Sequence, residues 1–365
     1  MLLVTSDQES AILPADLDLP NRRRLQERGV TFTHAFCNTP QCSPARAAIL
    51  TGRTPLHAGV VTNVDPGSLG VAPSPALPTL ASTFRSAGYA TGFFGKWHLG
   101  NKGPEQFGFT SSDISSSQTL GSKADEPATR VATNWIGQQR GPWMAWVSLL
   151  DPHDIYFPPY CLANVEPRSG VRPPFSGSEN LEGKPHEQRD FLTRASRTAV
   201  PTDWIRYRSY YCDLLERVDN KLGMLLDACR DLDSMVIAYT SGHGDGLGEH
   251  GLPFKGPFMY DELVRIPLVI SAPKSLGMRG KRDSFATQAD LMPTLASLAG
   301  VRIPAGLDSI NLAAKGAERD AVFLEYGGQQ HSIYPIRTIH TGTWKLNWYD
   351  SGGKELYDLK RDPPS

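Results

Sequence analysis

The sequence predicts an α/β protein with a small antiparallel sheet at its C-terminal end. Three observations carry that reading. Short apolar runs alternate with segments of helical period, the pattern of a sheet flanked by helices. Clusters of polar, chemistry-bearing residues stand directly behind several of those runs, where active sites of open α/β sheets gather. From about residue 319 the texture changes to alternating segments around a Thr341-Gly342 turn.

In chain order, strands are expected at Leu2–Thr5, Ala90–Phe94, Met144–Leu150, Met235–Thr240 and Pro267–Ile270, each a compact apolar run. Helices are expected at Asn21–Gly29, Thr79–Ala87, Thr129–Gln139, Ile205–Cys229 and Asp290–Leu298. The fourth shows an apolar stripe at Tyr207, Tyr211, Leu214, Val218, Leu222 and Leu225, the spacing of one helical face. In QCSPARAAILTGR (41–53) a further helix is expected, with Ser43 as N-cap, Pro44 at the first helical position and Gly52 as the C-terminal stop. Residues 157–202 are rich in Pro, Gly and charge and show no period; they read as an irregular, substrate-facing excursion. AVFLEY, IRTIH and WKLNWY read as strands of the C-terminal sheet. The expected division is therefore 1–318 as the main α/β domain and 319–365 as a small subdomain.

The 365 residues are 40% hydrophobic, enough for one large core. With 37 basic and 38 acidic residues the net charge is −1, which gives no reason to expect nucleic acid or an anionic membrane as partner. No apolar run reaches the roughly 18 residues that span a bilayer. MLLVTSDQ lacks a basic leader and reads as a core strand, so a cytoplasmic location is the expectation, or a periplasmic or secreted one if the N-terminus is trimmed. The five cysteines are odd in number and sparse, unlike a disulfide framework. Cys37 and Cys42 are a weak C-x4-C pair without a second one to support it.

Cys42 stands where a helix is expected to begin, and helix N-termini favour anions through their free N–H groups and positive dipole end. Arg46, four positions on, can fold back to the same spot. The polar clusters behind the strands are Asp7, then Lys96 with His98, then His153, then His243. If they converge, they complement an anion site at Cys42 and suit a hydrolase or binder of a tetrahedral oxyanion.

At these residues the chain resembles the sulfatase family of the alkaline-phosphatase-like superfamily. CSPARAAILTGR is similar to the family's first signature, and GYATGFFGKWHLG (88–100) to its second. LVTSDQ resembles the metal-binding first strand, and GHGDGLGEHGLPFKGPFMYDELVRIPLVI the late metal and sulfate segment. DLMPTLASLAG and KELYDLKRDP resemble the C-terminal landmarks, so the likeness runs from Leu2 to Pro363. It implies a mixed, mostly parallel sheet and hydrolysis of an organic sulfate ester, arylsulfatase-like. It implies that Cys42 is oxidised by a formylglycine-generating maturation enzyme, and that the hydrated aldehyde attacks sulfur. Arg46 and Lys96 would stabilise it, His98 would take the proton that expels sulfate, and His153 and Lys255 would bind the sulfate. Asp7, His243 and residue 42 would hold a divalent cation, most often Ca2+, or another such as Mg2+.

Two positions depart from the family pattern. Ser6 stands where the first strand usually carries an aspartate beside Asp7. More seriously, Gly242 replaces the aspartate that the family uses as metal ligand and activating base. The resemblance therefore implies weakened metal affinity and impaired turnover, unless Asp245 swings in. A phosphonate monoester or phosphodiester hydrolase on the same site, or a sulfatase-like pseudoenzyme binding a sulfated ligand, are the alternatives. The substrate, a small-molecule or saccharide sulfate ester, would be selected by residues 157–202, the Val61–Pro75 loop and the C-terminal sheet, with Tyr156, Phe157, Tyr160 and Trp348 available for stacking.

Overall fold

The computed structural model describes the chain except residues 14–16, 116–119, 157–161, 177–180, 196–200, 202, 330–331 and 362–365. Part of the 157–202 excursion, with Phe157, Tyr160, Cys161 and the side chain of Tyr156, lies outside the described residues. The described part is not irregular throughout, since His186–Ala195 forms a helix that buries Glu187, Gln188 and Phe191.

The main sheet has eight strands: β1 Leu2–Asp7, β2 Gly29–Phe36, β3 Ala90–Lys96, β4 Ser111–Ser115, β5 Trp143–Pro152, β6 Ile237–Ser241, β7 Leu268–Ser271 and β8 Gly280–Thr287. Their order is β4-β3-β5-β1-β6-β7-β2-β8. All neighbours pair in parallel except those of β7, which runs against both β6 and β2. The sheet is thus mixed and mostly parallel.

Side chains leave it alternately on two faces, as the strand period of two demands. Leu3, Phe93, Trp146 and Ile270 enter one core together with Ala47, Ile49 and Leu50 of the helix Cys42–Thr51. Leu2, Val4, Val147 and Tyr239 enter the other, closed by the helices Gly121–Gln138 and Trp204–Ala228. The predicted stripe of the latter helix is divided: Val218, Leu222 and Leu225 pack under the sheet, while Tyr207, Tyr211 and Leu214 belong to a third cluster. Among the described residues no helix is long and apolar enough to cross a membrane.

Three strands escaped the sequence reading. β4 and β8 are outermost, expose many of their residues and contain no apolar run. β2 (GVTFTHAF) alternates Val30, Phe32 and Phe36 with polar residues, a signal that was present. The helix expected from Thr129 begins eight residues earlier, at Gly121, and carries Pro127 within it. Its start is capped from afar: the Asp154 carboxylate accepts from the N–H groups of Gly121 (2.6 Å) and Ser122 (3.2 Å). A cap supplied 33 positions away leaves no local signature.

Strands β9 Val322–Gln329, β10 Ser332–His340, β11 Trp344–Tyr349 and β12 Lys354–Asp358 form the antiparallel C-terminal sheet. It is tied to the start of the Cys42 helix, where the Gln41 amide donates to the Gly328 carbonyl at 2.8 Å. Trp348 lies on its outer face, 54% exposed.

Candidate active site

Strands β3, β5, β1 and β6 are consecutive neighbours in the sheet, and their carboxyl ends lie side by side. Register aligns Gly95 and Thr5 with Ser148, Asp7 with Pro152 and Ser6 with Ser241. The four polar clusters are therefore brought to one edge by strand order alone. Gly95 lets β3 approach β5 there: it has φ +101°, and a Cβ would stand 2.1 Å from the Ser148 carbonyl oxygen. The next residue, Lys96, is fully buried.

The Cys42–Thr51 helix differs from expectation in its first turn. Gln41 is the N-cap and Cys42 the first helical residue, with Gly52 closing the helix at φ +64°. Ser43 does not cap it. Its hydroxyl donates to the His98 carbonyl at 2.6 Å and accepts from the Val64 N–H at 3.0 Å, pinning two loops to the helix start.

Cys42 Sγ is the point of convergence. Lys255 Nζ lies 3.1 Å from it, His243 Nε2 3.3 Å, Asp7 Oδ1 3.6 Å and Lys96 Nζ 3.7 Å. His153 hydrogen-bonds the same sulfur. Lys96 forms a close ion pair with the other Asp7 oxygen, Oδ2, and Arg46 Nη2 is 3.7 Å from that atom. Arg46 also donates to the Lys96 carbonyl at 2.6 Å. Lys255 and His153 are partly buried, whereas Asp7, Cys42, Lys96 and His243 are enclosed, so the centre meets solvent on the Lys255–His153 side.

The charge balance is cationic. Burial alone would raise the Cys42 thiol, but Lys255, Lys96 and His243 outweigh it and hold its pKa well below the usual thiol value. Burial likewise opposes ionisation of Asp7, and Lys96 and Arg46 reverse that, leaving it below the ordinary carboxylate range. Burial, then Lys96 and Lys255, lower His153 to about 4, so its imidazole is neutral at physiological pH. A site with three fixed cations around one carboxylate and one thiolate is built for an anion.

His98 departs from the expected constellation. Its Nε2 faces Asp65 of the Val61–Pro75 loop at 2.9 Å, and its Nδ1 is buried with no hydrogen-bond partner among the described residues. Asp245 does not swing in either. It accepts from Gln8 Nε2 (2.7 Å), the Leu247 N–H (2.8 Å) and the Tyr207 hydroxyl (3.0 Å). Gln8, which the sequence reading passed over, is the residue that reaches the centre: its Oε1 accepts from Lys255 Nζ at 2.8 Å. The signal for it was its place directly after Asp7, at a strained φ of +78°. Ser6 turns away, donating to Glu9 at 2.7 Å.

Asp7, Cys42 and His243 each present one donor atom, and these lie within 4.8 Å of one another. For Ca2+ this set does not fit. That ion takes six to eight oxygens, often from several carboxylates, whereas the cluster among the described residues offers one carboxylate, one nitrogen and, with Cys42 unconverted, one sulfur. Gly242 contributes no side-chain donor; a Cβ there would stand 3.4 Å from Asp7 Oδ1.

Three further buried carboxylates frame the His153 segment. Asp125 accepts from the N–H groups of Leu150 (2.7 Å) and Asp151 (2.9 Å), while Asp151 Oδ1 has no partner among the described residues. Burial, reinforced by repulsion from Asp154, raises Asp125 to about 7, and burial with repulsion from Asp125 and then Asp154 raises Asp151 to about 8. The folded chain then holds protons that the unfolded chain, with carboxyl pKa values near 4, has released. These groups therefore weaken folding as pH rises from about 4 to about 8. Asp151→Asn is expected to stabilise the protein by about 1–2 kcal/mol at about pH 8.5 and by little at about pH 5, read by urea denaturation. An equal effect at both pH values would contradict the assignment.

Comparison with known proteins adds the following. The family model described as Sulfatase matches residues 5–301, and that of the N-sulphoglucosamine sulphohydrolase C-terminal region matches 248–365. The choline-sulfatase of Rhizobium meliloti is 28% identical over 100% of this chain and 80% of its own length. The Delta 4,5-hexuronate-2-O-sulfatase of Bacteroides thetaiotaomicron is 27% identical over 92% and 76%. The crystal structure of the phosphonate monoester hydrolase of Agrobacterium radiobacter superposes with a TM-score of 0.80 at 23% identity, covering 99% of this chain and 89% of that one.

Proposed function

This chain belongs to the sulfatase family, and from that premise we propose that it is a sulfuric ester hydrolase, cleaving an organic sulfate to alcohol and sulfate. The observation that supports this most is the convergence of Lys255, Lys96, His243, His153 and Asp7 on Cys42 Sγ at the positive end of a helix. Conversion of Cys42 to formylglycine would supply a hydrated aldehyde as nucleophile at that point. The surroundings fit such a group, with donors and acceptors on several sides of the side-chain terminus. Lys255, Lys96 and Arg46 would hold the sulfate oxygens and offset charge that builds on them. His153, neutral and on the open side, would donate a hydrogen bond to the departing ester oxygen. His98, with Nε2 engaged by Asp65, would take a proton through Nδ1 once substrate is bound. A hexuronate sulfatase among the relatives makes a sulfated saccharide a reasonable substrate class.

A second reading, a pseudoenzyme that binds a sulfated ligand without turnover, is favoured by Gly242 together with the engagement of Asp245 elsewhere. The test is a comparison of 4-nitrophenyl sulfate, a phenylphosphonate monoester and a sulfated disaccharide, with intact-mass analysis of residue 42. Sulfate ester hydrolysis by converted protein, faster than phosphonate hydrolysis, is expected. Faster phosphonate hydrolysis would favour the other hydrolase. Saccharide binding without turnover by fully converted protein would establish the pseudoenzyme.

A further inference from the structure

We infer that, with Cys42 unconverted, the chain carries a three-ligand site for a borderline transition-metal cation such as Zn2+, made of Cys42 Sγ, His243 Nε2 and Asp7 Oδ1. It starts from the misfit of the same residues to Ca2+ and does not depend on sulfate hydrolysis.

Donor chemistry comes first. One thiolate, one imidazole and one carboxylate are donors that Zn2+ accepts readily and Ca2+ does not. Geometry agrees. The three donor atoms form a triangle with edges of 3.3 Å (sulfur to nitrogen), 3.4 Å (nitrogen to oxygen) and 3.6 Å (sulfur to oxygen). Bond lengths of about 2.3 Å to sulfur and 2.0–2.2 Å to nitrogen and oxygen place tetrahedral neighbours about 3.3–3.6 Å apart. A cation can enter with little rearrangement.

The supporting contacts point the lone pairs inward. His243 Nδ1 lies 2.9 Å from the Gly244 carbonyl, which can only accept, so Nδ1 donates there and Nε2 is the nitrogen left to face the ion. The Asp7 carboxylate is divided: Lys96 and Arg46 take Oδ2, while Oδ1 faces Cys42 and His243. All three ligands are buried. Among the described residues no fourth His, Cys, Asp or Glu joins the three, so the fourth position is left to water or an anion, the open arrangement of catalytic rather than structural zinc. Nearby Lys255 favours the anion.

Binding joins sulfur, nitrogen and oxygen to the ion and releases the thiol proton, if still present, to solvent, with no change of oxidation state. The test uses full-length protein whose residue 42 is shown by intact mass to be cysteine, kept reduced and titrated with Co2+ as spectroscopic probe. Expected are one Co2+ per chain, a thiolate-to-cobalt charge-transfer band, displacement by equimolar Zn2+ and no displacement by a large excess of Ca2+. Cys42→Ser should abolish the band. His243→Ala should weaken binding by more than about 100-fold, since partners that only support a ligand are worth up to that much. Gly242→Asp should let Ca2+ compete. Absence of binding, a band that survives in Cys42→Ser, or ready displacement by Ca2+ in the unaltered chain would each overturn the inference. Sulfate hydrolysis is read separately, on converted protein, so failure of the metal site and failure of the hydrolase reading are distinguishable.

Discussion

Gly242→Asp is expected to raise kcat/KM for an aryl sulfate by two to four orders of magnitude in the presence of Ca2+, the worth of about 10²–10⁴ that a positioned base commands. The structure leaves room for the change. A Cβ at 242 meets Asp7 Oδ1 at 3.4 Å and the Ser6 carbonyl oxygen at 3.8 Å, ordinary contacts, and the backbone there is not left-handed. The hydrogen bonds that fix the residue are all from its main chain: N–H to the Ser6 carbonyl at 3.0 Å and carbonyl from Gln288 Nε2 at 2.7 Å. They survive substitution. The new carboxylate would stand against Asp7, so two like charges share one buried site and need a cation between them. Without metal the variant should be less stable than the parent. At a Ca2+ concentration about 100 times Kd it should regain about 2.7 kcal/mol by linkage, read as a rise in Tm that the parent lacks. Equal turnover in both forms, or no Ca2+-dependent Tm shift, would refute the assignment of Gly242 as the missing ligand position.

Lys96→Met is expected to destabilise the fold by about 3–5 kcal/mol, as removal of one partner of a buried ion pair does. Lys96 and Asp7 are both fully enclosed, and Lys96 is the nearest cation to that carboxylate. With it gone, Arg46 at 3.7 Å remains as the cation beside Oδ2, and Asp7 loses the main influence that keeps it ionised. The sign follows from linkage. A depressed carboxyl pKa contributes stability above the unfolded value near 4 and loses it as pH falls through the folded value. The variant lacks that depression, so its deficit should be largest at neutral pH and narrow as pH falls. Asp7→Asn with Lys96→Met should recover much of the loss, because the buried Asp7 charge no longer stands without its nearest cation. A double-mutant cycle by chemical denaturation measures this. An additive cycle would show that the two residues do not act as a pair.

Asp7, Lys96, His153 and His243 could be marked as a group from the sequence because each directly follows an apolar run. Strand ends at one edge of a parallel sheet share a neighbourhood whatever the loops do. Arg46 was legible for the same kind of reason, being one helical turn from Cys42. Gln8 and Asp245 were harder. Whether Asp245 points at the centre or is held by Tyr207 depends on a helix residue 38 positions away in sequence. His98 illustrates the limit: its motif predicts nearness to Cys42, but its ring orientation is decided by Asp65 from another loop.

By itself, then, the sequence determined the fold class and the family, and marked Cys42 at a helix start, since these rest on local period and on contiguous motifs such as CSPARAAILTGR. It also placed glycine, with no side-chain donor, at 242. Only the tertiary structure decided that β3, β5, β1 and β6 lie side by side, that Lys96 takes one oxygen of Asp7 and leaves the other to Cys42 and His243, and that Asp245 is engaged elsewhere. The reason is physical: strand order, carboxylate orientation and the partners of a buried polar group are set by contacts between segments far apart in the chain, which no local window contains.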